Sequence, residues 1–314
     1  MLLCLSALEI FAQQDAQIGQ YMQNKSIVNP AAAGSEGGNL SIFYRTQWIN
    51  LPGSPKTIGA VGDIGLQNGI GLGINLINTG QGALSFTRAL ANFSYKINLT
   101  PDVSALYLGL QAGAVQYSID TKDLILHDDI TLDQTFYSST LKKIIPDFGF
   151  GAMLKLKNVY FGASLPHLLQ PKIKFINTID TASRGRSGER NSFAKIFRHY
   201  YFTAGGDIAV SPTVNLQPAL LLKFIANAPL TADVNMNVLV LDRYWGGVGY
   251  RIAKPGALIF MAGLKIKTLK FGYVYELSQS QLSAYGGATH ELMVNYQFSG
   301  QPEAKPSKKP YFLK

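Results

Sequence analysis

The sequence predicts an all-β protein: a 14-stranded antiparallel transmembrane β-barrel of the bacterial outer membrane, with a short N-terminal plug in its lumen. Three observations predict it. Apolar residues alternate with polar or small ones along most of the chain, the connections between the resulting strands follow a strict parity, and the balance of residue types is too greasy for an ordinary soluble surface. Only 15% of residues are charged while 47% are hydrophobic, which suits a surface partly covered by lipid. Past the leader no apolar run reaches about 18 residues, because Asn, Gln, Lys, Asp or Gly interrupts each one. Helical spans are therefore not expected, and strands must do the crossing.

Residues 1–12 (MLLCLSALEIFA) form an apolar leader ending in a small residue, which reads as a signal peptide cleaved after Ala12. It lacks a positive n-region; a trimmed or mis-started reading frame is the alternative. Cys4, the single cysteine, lies in this leader, so the mature chain has none for disulfides, thiolate zinc sites or nucleophiles. Leu2 and Leu3 precede it where a lipidated cysteine needs small residues. Residues 13–37 contain IVNPAAAG (Ile27 to Gly34). Pro30 disfavours helical backbone at Asn29, and Ala31 to Gly34 let the backbone pass through a crowded space almost without side chains. That space is read as the lumen, with Asn29, Pro30, Ala31 and Gly34 as the plug motif.

The barrel is expected over 38–298, with strands at 39–49, 56–67, 69–79, 83–99, 104–119, 145–157, 158–167, 198–211, 213–226, 230–241, 243–252, 257–267, 269–279 and 288–298. Every even-numbered connection is tight: Asn68, TPDV from Thr100, Lys157-Asn158, Ser211 to Thr213, Asp242-Arg243 and Lys267-Thr268. The odd-numbered connections hold all the long insertions: NLPGSP from Asn50, residues 120–144, residues 168–198 and SQSQLSAYGG from Ser278. Short periplasmic turns alternating with longer external loops are the pattern of an outer-membrane barrel with both termini in the periplasm. The basic stretch 299–314 then becomes a periplasmic tail.

Strand alternation assigns faces. In LKFGYVYEL, Leu269, Phe271, Tyr273, Tyr275 and Leu277 share one face, with Lys270, Gly272, Val274 and Glu276 on the other. Outward residues are expected to include Tyr44, Trp48, Phe86, Phe93, Tyr95, Phe150, Phe161, Phe202, Phe224, Phe271, Tyr273, Tyr275 and Phe298. A polar lumen network is expected from Arg45, Gln47, Asp207, Lys223, Asp233, Asn235, Asn237, Arg251, Glu276 and Glu291, together with Lys155, Lys270 and Asn295. Both signs of charge on neighbouring strands favour a lumen laced by ion pairs over a wide pore of one sign. A soluble sandwich also alternates, but its charged fraction would be higher.

The net charge of +9 concentrates in Lys172 to Arg198 and in the tail, and neither stretch interleaves aromatic with basic residues as a nucleic-acid groove would. Among metal-capable residues, His127-Asp128-Asp129 are consecutive in a loop and cannot converge on one ion. His290 and Glu291 face opposite sides of a strand, while His167 and His199 fall at the external rim. Ser85, Ser94, Ser118 and Ser164 have no assignable base, so catalysis is not expected. Gly69, Gly71 and Gly73 sit in a strand with no helix after them; they read as small lumen-side residues rather than a phosphate loop.

The blocks QIGQYMQNKSIVNPAAAGSEG (Gln17 to Gly37), LSIFYRTQWINLPGSPKT (Leu40 to Thr57), SLPHLL (Ser164 to Leu169), RHYYFTAGGDI (Arg198 to Ile208) and LLLKFIANAPLTADVNMNVLV (Leu220 to Val240) resemble the PorP/SprF family of the type IX secretion and gliding machinery of Bacteroidota. The resemblance runs from about Gln17 to Phe298, leaving out the two long loops and the tail. It implies a barrel without enzymatic activity or cofactor, which helps export or anchor a large partner protein, such as an adhesin with a C-terminal sorting domain. Periplasmic ring and motor components are the further partners it implies. The Asn-Pro-Ala run before strand one and the strand count also resemble the FadL-type channels for hydrophobic small molecules, whose N-terminal segment forms a hatch.

Overall fold

The computed structural model describes residues 17–101, 103–120, 141–175, 192–195, 197–226, 228–280 and 283–298. The leader, Cys4, residues 13–16, the His127 to Asp129 run, most of both long loops and the tail fall outside the described residues.

Fourteen antiparallel strands close on themselves: β1 Gly38–Thr46, β2 Lys56–Gly65, β3 Ile70–Gln81, β4 Leu84–Thr100, β5 Ser104–Ile119, β6 Leu141–Leu156, β7 Val159–Leu165, β8 His199–Gly206 continued by Ile208–Ser211, β9 Val214–Ile225, β10 Thr231–Val240, β11 Tyr244–Ile252, β12 Ala257–Ile266, β13 Leu269–Ser278 and β14 Thr289–Phe298. Each pairs with its sequence neighbour, and β14 returns to β1 with Gly38 opposite Phe298 and Thr46 opposite His290. Closure removes every sheet edge, the condition for exposing strands to hydrocarbon. No helix among the described residues is long and apolar enough to cross a membrane.

All fourteen expected strands are present, with boundaries moved by four residues at most. Three details were not expected. β6 begins at Leu141, inside the anticipated loop. β8 breaks at Asp207, where its N–H bonds to Asn158 O at 2.8 Å and the register with β9 then shifts between Ala209 and Ser211. The 168–198 connection carries its own hairpin, Lys172–Phe175 paired with Ser192–Lys195.

Burial alternates along the strands, as in β1, where Asn39, Ser41, Phe43 and Arg45 are buried and Leu40, Ile42 and Tyr44 are exposed. Leu72, Ile74, Leu76, Phe93, Tyr95, Phe150, Phe161, Phe202, Phe224, Phe271 and Tyr273 continue that exposed belt. In water such a belt would drive aggregation; in a bilayer it is the face that meets the acyl chains.

Two expected outward residues are corrected. The β3–β4 register runs unbroken from Ile70–Tyr95 to Gln81–Leu84, so Phe86 has the opposite facing from Phe93 and lies inside, edge-on to Tyr117 with centroids 5.7 Å apart. Trp48 lies beyond the end of β1, in a left-handed turn (φ 46°), and packs beneath Gly286 rather than facing lipid.

If the exposed belt meets hydrocarbon, Ile42→Arg, at the middle of β1 and 53% exposed, should cost about 2–4 kcal/mol of stability. Urea unfolding in lipid vesicles, read by tryptophan fluorescence, measures it.

Candidate functional site

Inward-facing carboxylates and guanidinium groups on distant strands converge in the half of the lumen nearer the long loops. Arg45 on β1 stands directly opposite Glu291 on β14, and Asp233 on β10 opposite Arg251 on β11. Glu276 on β13 joins the two pairs: Arg45 Nη2 reaches its carboxylate at 2.9 Å, and Arg251 Nη1 takes its other oxygen. Arg251 Nε binds Asp233 at 2.7 Å, and Arg45 Nη1 lies 3.3 Å from Glu291. All five side chains are buried. Two cations thus face three carboxylates, and a buried charge without a partner is costly. The remaining donors come from the chain itself: the N–H groups of Gly19 and Gln20 bind the two oxygens of Glu291 at 2.7 and 3.0 Å.

Those two residues open an inner segment, 17–37, which crosses the lumen as three short turns, Tyr21–Gln23, Lys25–Ile27 and Pro30–Ala32. Asn24 and Asn29 start the second and third, their side-chain oxygens accepting from Ser26 N and Ala31 N, the usual use of asparagine at a turn entry. So irregular a backbone cannot satisfy its own polar groups when buried, and the wall supplies partners. Asn39 and Asn295 donate to Gln23 O, Asn75 to Ser26 O at 3.1 Å, Ser164 to Val28 O at 2.6 Å and Ser94 to Ala33 O at 2.6 Å. Asn29 Nδ2 reaches Ala152 O and Ala163 O at 3.1 and 3.4 Å, and Gly34 N donates to Asp63 at 2.9 Å. An amide relay, Gln111 to Asn92 to Asn75, backs the contact at Ser26.

Small residues are required on both sides of this contact. Ala31, Ala32 and Ala33 are buried, and Ala31 and Ala33 lie on glycines of the wall. A Cβ on Gly109 would stand 2.2 Å from Ala31 N, one on Gly71 2.1 Å from Ala33 O, and one on Gly151 2.1 Å from Asn29 Oδ1. Gly34 adopts φ +70°, and a Cβ there would strike Gly65, so only glycine fits its left-handed turn. The structure therefore brings Asn29, Pro30, Ala31 and Gly34 together inside the barrel.

The expected lumen residues divide into groups. Arg45, Asp233, Arg251, Glu276 and Glu291 form the network. Asn235 reaches the hydroxyl of Tyr21 at 3.4 Å, while Asn237 lies over Gly247 with no hydrogen bond to another described residue. Gln47 sits past β1 and lines the loop-side mouth beside Trp48. Asp207 is far from the network, at the tight-turn end, where Asn215 and Gln217 donate to it at 2.6 and 3.1 Å.

Lys223 belongs to a cluster the sequence reading missed. It lines a cavity of about 80 Å³ whose walls include Ile18, Ile77, Phe86, Val115, Tyr201 and Leu221. At its edge His167 and His199 meet edge-on, with centroids 5.0 Å apart. His167 Nδ1 lies 2.9 Å from an oxygen of Asp147 and its Nε2 3.2 Å from Arg88 Nη2, so the ring stands between a carboxylate and a guanidinium. The signal available in sequence was the parity of Arg88 and Asp147, both inward-facing. Ser94 and Ser164 donate to backbone carbonyls, so neither is poised as a nucleophile. Among the described residues no cluster of three metal-capable side chains occurs.

Two variants test the coupling between segment and wall. Glu291→Gln leaves Arg45 paired with Glu276 but replaces one charged acceptor of the Gly19 and Gln20 amides by an amide NH₂, and should cost about 1.5–3 kcal/mol, read from the unfolding midpoint. Gly109→Val should unseat Ala31 and expose residues 17–37 to protease in the purified barrel, whereas Gly80→Ala, with open space around its Cβ, should not.

Comparison with known proteins adds two results. The profile of the family described as Type IX secretion system membrane protein PorP/SprF matches residues 10–296. Among solved structures, the chain is similar to the CymD monoaromatic hydrocarbon channel, with 11% identity, a TM-score of 0.54 and coverage of 90% of this chain and 93% of that one. It also matches the Ralstonia pickettii toluene transporter TbuX, at 10% identity, TM-score 0.49 and coverage of 90% and 94%. At these identities the likeness concerns the fold alone. No curated protein sequence matches the chain.

Proposed function

Because the chain belongs to the PorP/SprF family of type IX secretion system membrane proteins, we propose that it is a non-enzymatic outer-membrane component of that machinery, needed to export or anchor one large partner protein with a C-terminal sorting domain. The observation that carries this reading is a barrel whose lumen is occupied by its own chain: residues 17–37 hydrogen-bond to strands around the circumference, from Glu291 and Asn39 to Asn75, Ala163 and Asn235. Such a barrel is suited to holding a partner in the membrane rather than to free diffusion. In this reading residues 1–12 are the signal peptide, 13–37 the plug, 38–298 the barrel and 299–314 a basic tail. The tight turns, the start of β1 and the end of β14 face the periplasm, with its ring and motor components, and the long loops face the exported client. Gln17 itself lies on the long-loop side, beside Gln47 and Thr289.

Deleting the gene should leave most secreted proteins in place and strand one large surface protein inside the cell, as read by surface proteomics. Unchanged display of every client would sink the proposal. The plug has its own test: a barrel lacking residues 13–37 should conduct several-fold more ions in planar bilayers than the full chain, and equal conductance would mean the segment does not occlude.

The second reading is a FadL-type channel for hydrophobic small molecules. The largely apolar cavity between Ile18, Ile77, Phe86 and Leu221 supports it, and mass spectrometry of the purified barrel for a retained apolar guest distinguishes it from the first.

A further inference from the structure

At the tight-turn end the lumen opens into two spaces of about 540 and 580 Å³ beneath the inner segment. Their walls are basic. Lys96 on β4, Lys155 on β6, Lys265 on β12 and Lys270 on β13 line them, with Lys25 from the inner segment and Lys157 and Lys267 from the turns. Four described carboxylates stand near them, one of which, Asp63, accepts from Gly34 N and the Ser26 hydroxyl. Glu36 pairs with Lys25, Asp242 with Lys265 at 2.7 Å, and Asp207 takes the side-chain amides of Asn215 and Gln217. Lys96, Lys155, Lys157, Lys267 and Lys270 have no carboxylate within ion-pair distance among the described residues.

Two details show that this charge is held at a cost. Lys265 and Lys270 stand directly opposite each other across β12 and β13, and like charges in that relation destabilise a sheet. Glu36, between Lys25, Lys155 and Lys270, shows what the lysines accommodate: burial pushes its carboxyl up, yet Lys25, with Lys155 and Lys270 behind it, holds it down at about 2. The chain's own continuation does not supply the missing sign, since Lys305, Lys308, Lys309 and Lys314 in the tail outnumber Glu303.

We propose that this vestibule docks a carboxylate-rich segment of a partner protein entering from the tight-turn end, its acidic side chains binding Lys96, Lys155 and Lys270 as Glu36 binds Lys25. The lysines face the lumen rather than lipid, so an anionic headgroup in the bilayer cannot reach them. They are spread over β4, β6 and β13 and over two separate spaces, further than one small anion spans; an extended acidic peptide has the required reach. The inference rests on the proposed function only for which side of the membrane the partner occupies.

The experiment uses the full chain in nanodiscs and a fluorescent ten-residue peptide of alternating Glu and Ser, followed by anisotropy. Binding should weaken as salt rises, and the Lys155→Gln/Lys270→Gln double variant should lose at least tenfold in affinity. Lys254→Gln, at the opposite mouth, should bind as the unaltered chain does. Lys270→Gln alone should keep or raise the unfolding midpoint by relieving Lys265, which separates a lost site from a lost fold; Lys96→Gln is the second single variant, expected to weaken binding with the fold retained. No binding of the acidic peptide, or equal binding by the double variant, overturns the proposal. Equal displacement by millimolar inorganic phosphate would make it a small-anion site, and tighter binding of a single-stranded oligonucleotide would make it a nucleic-acid surface; either overturns it as well. Peptide binding with an intact export phenotype would refute the proposed function and leave the vestibule standing, and the reverse result would do the opposite.

Discussion

Glu291 is the group on which the arrangement of the lumen depends. It is fully buried, its partner Arg45 is shared with Glu276, and the local count is one carboxylate in excess. Wall side chains alone leave that charge short of donors, and two backbone amides of the inner segment complete its shell. Hydrogen bonds to an ionised group are shorter and stronger than neutral ones, so the segment is pinned at its start by the strongest contact it makes. From there its course is dictated by where the wall offers partners for an irregular backbone and where glycines leave room for it.

The outer and inner faces of this barrel solve the same problem in opposite ways. Outside, the polar backbone is hidden by closing the sheet, and side chains need only be apolar. Inside, the backbone of residues 17–37 has no ladder, and Asn, Ser and Asp side chains from the strands act as its hydrogen-bonding partners. That division explains why buried polar residues outnumber what a soluble core would carry, and why so many are asparagine and serine rather than charged.

Much of the fold was legible because it follows from local chemistry. A half-lipid, half-lumen strand must alternate, and a barrel fed from one side must have turns of matching parity, so strand number, order and bounds could be read from residues such as Leu269 to Leu277. Phe86 shows the limit: its aromatic character suggested lipid, and only the unbroken register from Phe93 sets it inside, against Tyr117. The site was legible in part. Facing assigned Arg45, Asp233, Arg251, Glu276 and Glu291 to the lumen, but their meeting depends on the closure of β14 on β1 and on the depth of each residue along its strand. Arg88, Asp147, His167 and His199 come from four strands or their ends and leave no spacing in the chain by which their cluster could be seen. The partners of the alanine run, Gly71, Gly109 and Gly151, were hidden for the same reason.

The bond from Gly19 to Glu291 joins positions 272 residues apart, one from the first described turns and one from the last strand. Contacts of such separation form late, after most of the entropy of ordering the chain has already been lost. The inner segment precedes β1, yet its charged anchor stands on β14, whereas its contacts to Asn75, Ser94 and Ser164 belong to strands of the first half. The bond at Glu291 therefore exists only where the last strand is in place, a built-in mark by which a closed barrel differs from an open sheet.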